Sequence, residues 1–278
     1  MSTLINAGID DQQDNRKRHL IALDVDGTLV DHEGNMTEEV RDAARAVIEA
    51  GHDVIIATGR SLGATLPVID LLGIRRGYAV CSNGGVTLRI DSSMPEGFEV
   101  VERVTFDPKP ALTALRERLP AAKYALEDDR GRFLCTESFQ DASFGSEAQS
   151  VDFEEMLESH AVRVVVFSTD SSAEEFGAAV ASIGLHGVTY SVGWTAWLDI
   201  AAQGVTKASA LESLRTRLGT DRALTVAVGD GRNDIEMLQW AGRGVAMGQA
   251  PDEVRSAASE VTGSVYDDGA AKVLRSLV

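Results

Sequence analysis

The chain has 278 residues, 44% of them hydrophobic and 25% charged, which suits one large domain or two smaller ones with a sizeable core. Its net charge of -17 argues against nucleic acid or an anionic membrane as partner, because both demand basic surface. Two cysteines, Cys81 and Cys135, fit no metal spacing and no disulfide framework, and read as buried thiols in a reducing cytoplasm.

Residues 1–18 are polar, without the apolar core of a signal peptide, and read as a loose tail. The stretch LIALDVDGTLV then reads as a buried strand that ends in two aspartates, Asp24 and Asp26. Thr37 can cap a helix from residue 38 to about residue 50, where Val40, Ala43, Ala44, Val47 and Ile48 repeat at helical spacing. DVIIATGR gives a strand buried on both faces, and a helix over residues 62–72 stops at Gly73. YAVCSNGG is a short strand running into a turn. This alternation predicts a Rossmann-like, doubly wound α/β fold around a parallel sheet.

The rhythm then changes. VTLRI and FEVVERVTF alternate like half-buried antiparallel strands, and a helix is expected over residues 110–119. KYALEDDRGRFLCTE and VTYSVGWTAWLDIA read as hairpins, with the strand VRVVVFS and a helix over residues 173–183 between them. Residues 147–160 suggest a further helix. Residues 176–198 carry no Asp, Glu, Lys or Arg, but four glycines, two serines, two threonines and a histidine exclude a membrane span. From Gly204 the first rhythm returns, with helices over residues 206–218, 233–240, 251–258 and 270–277 around the strands ALTVAVGD and GVAM. The expectation is a tail over residues 1–18, a core from residues 19–85 and 203–278, and an inserted α+β cap over residues 86–202.

Ligands of an open parallel sheet bind outside the carboxyl ends of its strands. Polar residues end three strands here: Asp24 and Asp26, then Thr58, Gly59 and Arg60, then Asp230 with Asp234 nearby. Lys207 starts a helix that would come close. Each has a plainer reading alone: Asp-Gly as a hairpin turn, GDGRND as a helix cap, Thr58 as another cap, Lys207 as a solvated lysine. Taken jointly, Asp24, Asp26 and Asp230 supply hard oxygen ligands for Mg²⁺. Lys207, the Thr58 hydroxyl and backbone N–H groups near Gly27 and Gly59 would hold a phosphate. One carboxylate could attack that phosphate while the other carries the proton.

DVDGT, TGR, the lysine of GVTKASAL and GDGRND resemble, in order, the four motifs of the haloacid dehalogenase-like (HAD) superfamily. With SNGG and GDGRNDIEM, the layout is similar to its Cof-type, class IIB phosphatases. The resemblance implies that Asp24 is the nucleophile and a Mg²⁺ ligand, and that Asp26 is the general acid/base, binding Mg²⁺ through its backbone carbonyl. It implies that Thr58 and Lys207 hold the phosphoryl group, that Asp230 binds Mg²⁺, and that Asp234 supports it. Asn233 would orient Lys207 or the phosphate; Asn83, Gly84 and Arg60 would meet the substrate; and the insert would be a mobile cap. Trp194, Trp197, His186 and Arg130, at or near the cap hairpins, are further candidates for contact with the substrate. The expected activity is a Mg²⁺-dependent phosphatase of a small phosphorylated metabolite, a sugar phosphate above all, acting as a monomer or homodimer. The alternatives are a phosphomutase on the same core and a phosphometabolite-binding regulator.

Overall fold

A computed structural model describes residues 18–136, 148–193 and 195–278. Its organising strand is β1 (Leu20–Leu23), four apolar residues without alternation, all of them buried. A strand apolar on both faces has to lie inside a sheet covered on both sides. β1 does so, pairing in parallel with β2 (Asp53–Ala57) and β12 (Thr225–Gly229).

The sheet continues outward from β12 through β13 (Arg243–Ala246) to the short β14 (Glu260–Val261). From β2 it continues through β3 (Arg76–Cys81), β4 (Val86–Asp91) and β5 (Phe98–Arg103). All pairings from β14 to β3 are parallel, whereas β4 and β5 are antiparallel additions. Alternate residues of β1 and β2 face opposite sides. Ile21, Leu23, Val54 and Ile56 pack against α1 (Glu38–Glu49), α2 (Leu62–Leu72) and α9 (Gly269–Arg275). Leu20, Ala22, Ile55 and Ala57 pack against α6 (Lys207–Leu218), α7 (Ile235–Trp240) and α8 (Asp252–Ala257). Thr37 caps α1 as its sequence implies, its Oγ1 accepting from the Val40 N–H at 3.3 Å. The helix expected over residues 233–240 begins as a 3₁₀ turn, Arg232–Asp234, before α7.

A second sheet of six strands has the order β10 (Val188–Val192), β11 (Trp197–Ala202), β9 (Ala161–Phe167), β6 (Lys123–Asp128), β7 (Phe133–Cys135), β8 (Gln149–Ser150). The helices α3 (Lys109–Arg118), α4 (Phe153–Leu157) and α5 (Ala173–Ile183) accompany it. Leu112, Leu115, Tyr124, Phe176 and Val180 form its core. Both expected hairpins are present, as β6–β7 and β10–β11. Within residues 147–160 only α4 is helical, Gln149–Ser150 being strand, while Glu147 and Trp194 lie outside the described residues. The tail, but for Arg18, lies outside them too.

One expected boundary needs correction. VTLRI and FEVVER are antiparallel strands, as their alternation implies, but they extend the first sheet and take no part in the second. The turn Ser82–Gly84 folds the chain straight back, so β4 pairs with the strand it has just left, the common outcome for consecutive strands. The second sheet starts only at Lys123. No helix among the described residues is long and apolar enough to cross a membrane, and the stretch 176–198 holds the end of α5, all of β10 and the start of β11.

Candidate active site

Strands β1, β2, β3, β12 and β13 are parallel, so their carboxyl ends open on one edge of the sheet. Asp24 follows β1 there, Thr58 follows β2, Ser82 follows β3 and Asp230 follows β12. The Asp24 N–H still donates to the Val228 carbonyl at 3.0 Å, which fixes its backbone to the neighbouring strand. Lys207 reaches the same edge as the first residue of α6, behind a capping box of Thr206 and Ser209. Its Nζ donates to Asp24 Oδ1 at 2.6 Å and to Asp234 Oδ1 at 2.7 Å.

All three groups are buried, and the carboxylates of Asp24, Asp230 and Asp234 lie within 4.8 Å of one another. Burial alone would drive the proton off Lys207, but Asp234 and Asp24 outweigh it and hold the ammonium above the ordinary lysine pKa. Asp24 shifts in the opposite sense for its charge state. Burial first, then Asp234, raises its pKa well above the usual carboxylate range, and Lys207 offsets only part of this. Asp230 is pushed up to about 6, again by burial and Asp234. The two partners of one ion pair thus disagree because the cluster is unbalanced: three carboxylates face one ammonium. Two uncompensated negative charges on hard oxygen atoms suit a divalent cation. Asp234 has little capacity left as a ligand. Its Oδ2 accepts the N–H groups of Asp230 and Gly231 at 3.0 and 2.9 Å, and Oδ1 holds Lys207, so it shapes the loop that carries Asp230.

Asp26 stands apart from this cluster. Its side chain is 61% exposed and pairs with Arg60, whose Nε and Nη2 reach its two oxygens at 3.0 and 2.6 Å. β1 ends at Leu23, so Asp24 and Asp26 lie beyond the strand, and the charge of Asp26 adds only the last of the contributions that raise the Asp24 pKa. Arg60, expected at the substrate, is here the partner of the second acid. The Gly27 N–H, expected as a phosphate donor, is given to the Val30 carbonyl at 2.9 Å. Gly27 matters for another reason: its φ is +77°, and a Cβ on it would sit 2.2 Å from Asp230 Oδ2. Thr58 is fully buried, and its hydroxyl accepts the Arg60 N–H at 3.1 Å, leaving its own hydrogen to donate. Gly59 packs against the Asn83 amide, where a Cβ would approach to 3.3 Å.

Three consecutive residues, Ser82, Asn83 and Gly84, have positive φ of 49°, 52° and 104°. Such backbone is uncommon for non-glycine residues and is held only where its surroundings dictate it. Here the surroundings are the site. Ser82 Oγ donates to Glu127 Oε2 at 2.6 Å, Asn83 Oδ1 accepts from Asn233 Nδ2 at 3.0 Å, and Gly84 lies against Thr206. Asn233, expected to orient Lys207 or the phosphate, gives its amide to Asn83. A cleft between the two sheets is lined by Asn83, Lys207 and Asn233 on one side and by Arg163, Tyr190 and Asp199 on the other. Trp197 does not line it; the indole donates to Asp199 Oδ2 at 2.9 Å and packs against Phe167.

Three residues at this edge escaped sequence reasoning. Glu127 and Arg163 belong to strands of the insert, where alternation alone does not reveal which residues meet the core. Gln249 follows β13 at the same edge as the acids, so the rule that found the other strand ends points to it as well.

A family model of haloacid dehalogenase-like hydrolases matches residues 21–274. The chain belongs to the haloacid dehalogenase-like hydrolases. Among its HAD relatives, 5-amino-6-(5-phospho-D-ribitylamino)uracil phosphatase YcsE of Bacillus subtilis is 29% identical, over 92% of this chain and 94% of its own. A phosphoglycolate phosphatase of Methanoculleus marisnigri is 26% identical, over 90% of this chain and 92% of its own. The solved HAD subclass IIB sugar phosphatase BT4131 shares the fold, with a TM-score of 0.76 at 24% identity, over 94% of this chain and 100% of that one. The family agrees with the resemblance seen in the motifs, and this HAD hydrolase is a phosphoric monoester hydrolase.

Proposed function

We propose that the protein is a Mg²⁺-dependent phosphatase of a small phosphorylated metabolite, of the sugar-phosphate kind, acting through a phospho-aspartate at Asp24. The observation that carries this reading is the buried Lys207 ammonium held between Asp24 and Asp234, with Asp230 beside them. The donor set fits the ion: carboxylate oxygens only, with an excess of negative charge that one divalent cation cancels. Asp24, Asp230 and the backbone carbonyl of Asp26 would hold it, and Asp234 would keep the Asp230 loop in place. When bound, Mg²⁺ supplies positive charge to the phosphoryl oxygens.

The side chains then divide the work. Lys207 and the Thr58 hydroxyl hold the phosphoryl group. An Asp24 carboxylate oxygen attacks phosphorus, the bond to the organic oxygen breaks, and Asp26 gives that oxygen its proton. Water next attacks the same phosphorus, gives a proton to Asp26, and frees phosphate and the Asp24 carboxylate. Asp26 has to leave its ion pair with Arg60 to do this. The polar side chains that line the cleft, Asn83, Arg163, Asp199 and Asn233, suit a hydroxylated leaving group, and the second sheet serves as a cap that keeps bulk water out. Two buried free thiols, Cys81 and Cys135, fit a cytoplasmic setting.

Phosphate release from an aryl phosphate tests the reading. It is expected to need Mg²⁺, to stop with EDTA and to vanish in Asp24→Asn. No release from any member of a panel of phosphorylated metabolites would refute the hydrolase, and an isomerised sugar phosphate without net phosphate release would make it a mutase.

A further inference from the structure

Gln249 sits in the turn after β13 and ties together three segments that are distant in sequence. Its Nε2 donates to the Gly27 carbonyl at 2.5 Å and to Asp230 Oδ2 at 3.2 Å, while its Oε1 accepts the Val265 N–H at 3.0 Å. A backbone N–H can only donate, so the amide has one consistent orientation: oxygen toward Val265, nitrogen toward the two acceptors. Asp230 is boxed in accordingly. Gly27 presses on one flank of its carboxylate, so closely that a Cβ there would collide, and Gln249 holds Oδ2. The same amide fixes the carbonyl of Gly27 and with it the Asp26–Gly27 turn. An amide is the one side-chain group that can accept from Val265 and donate to both others at once; a carboxylate or an alkyl chain of the same size cannot.

We propose that Gln249 is a positioning residue for the cation site: it holds the Asp230 carboxylate and the Asp26–Gly27 turn in the arrangement that a divalent cation requires. This rests on the reading of Asp230 as a metal ligand. Groups that hydrogen-bond to ligating side chains set metal affinity, and their loss typically weakens it about 10- to 100-fold.

The test is a direct titration of the full-length protein with Mn²⁺, followed by electron paramagnetic resonance without substrate. Wild type, Gln249→Met and Asp230→Asn are compared, with Gln249→Leu as a second variant should Gln249→Met not fold. Gln249→Met is expected to bind Mn²⁺ at least about 10-fold more weakly than wild type. Its melting temperature in EDTA should fall by only a few degrees, the cost of the lost hydrogen bonds, and kcat at saturating metal should largely recover. Asp230→Asn should lose the binding. If Asp230→Asn binds Mn²⁺ like wild type, the metal reading fails and this inference with it. If Asp230→Asn loses binding while both Gln249 variants keep wild-type affinity, the positioning role alone is overturned.

Discussion

Lys207 stands where a lone lysine would not be stable. The first turn of a helix disfavours a cation by about 0.3–1 kcal/mol, and burial disfavours it far more. The residue persists there because Asp24 and Asp234 both accept from it. Removing the ammonium leaves two carboxylates buried without their counter-charge. Lys207→Met should therefore lower the stability of the metal-free protein by about 3–5 kcal/mol in a urea titration at neutral pH. A loss below about 1 kcal/mol, the range of a surface ion pair, would mean that the cluster is not held by this charge. At this scale the sequence was most legible where a polar residue ends an apolar strand: Asp24, Thr58 and Asp230 declare themselves that way. It was least legible for side-chain partners. Nothing in TGR tells that Arg60 turns to Asp26, or that Asn233 meets Asn83, because those choices are made by rotamers and by the paths of separate loops.

The turn Ser82–Gly84 is the element that joins the sheet to Lys207. Gly84 has φ +104°, and a Cβ there would lie 2.3 Å from the Thr206 carbonyl oxygen, immediately before Lys207. Gly84→Ala is therefore expected to cost at least about 2 kcal/mol of stability and to depress kcat more than KM, since relief of the clash displaces Thr206 and Lys207 together. Wild-type kinetics in a folded Gly84→Ala protein would show that the turn and the lysine are independent. Most helices and buried strands could be read from the chain; α2 and α5 have the bounds expected of them, whereas residues 147–160 hold only the short α4. The sheet to which β4 and β5 belong could not. Alternation reports that one face of a strand is covered, but not by what, and only the tight left-handed turn before β4 decides the matter.

The two sheets meet through buried charge as well as apolar contact. Glu127, on β6 of the second sheet, accepts from Ser82 of the first at 2.6 Å and is 2% exposed. Burial raises its pKa above the ordinary glutamate value, and Ser82, Arg163 and Arg103 offset this only in part. The folded state therefore holds this proton more tightly than the unfolded chain does. The stabilising contribution of the group is complete below the unfolded pKa of about 4.5 and is lost as pH rises through the folded value. Glu127→Gln lacks that loss. Its unfolding free energy, relative to wild type, should improve as pH rises above about 4.5 and level off once pH passes the folded value. A difference that stays flat over this range would rule out the buried carboxylate as the source.

The chain leaves for the second sheet and returns from it at nearly one place. The Val104 N–H donates to the Gly85 carbonyl at 2.9 Å on the way out, and Gly84 touches Thr206 on the way back. The described residues between 105 and 205 leave and rejoin the first sheet here, and they touch it further through Glu127 with Ser82 and through the Val192 carbonyl, which accepts from Arg232 at 3.4 Å. The molecule is built like a tool with an exchangeable head. A foreign module grafted at the junction would leave Asp24 and Lys207 in place, and would need to supply acceptors for the Ser82 hydroxyl and for Arg232 and a new wall for the cleft.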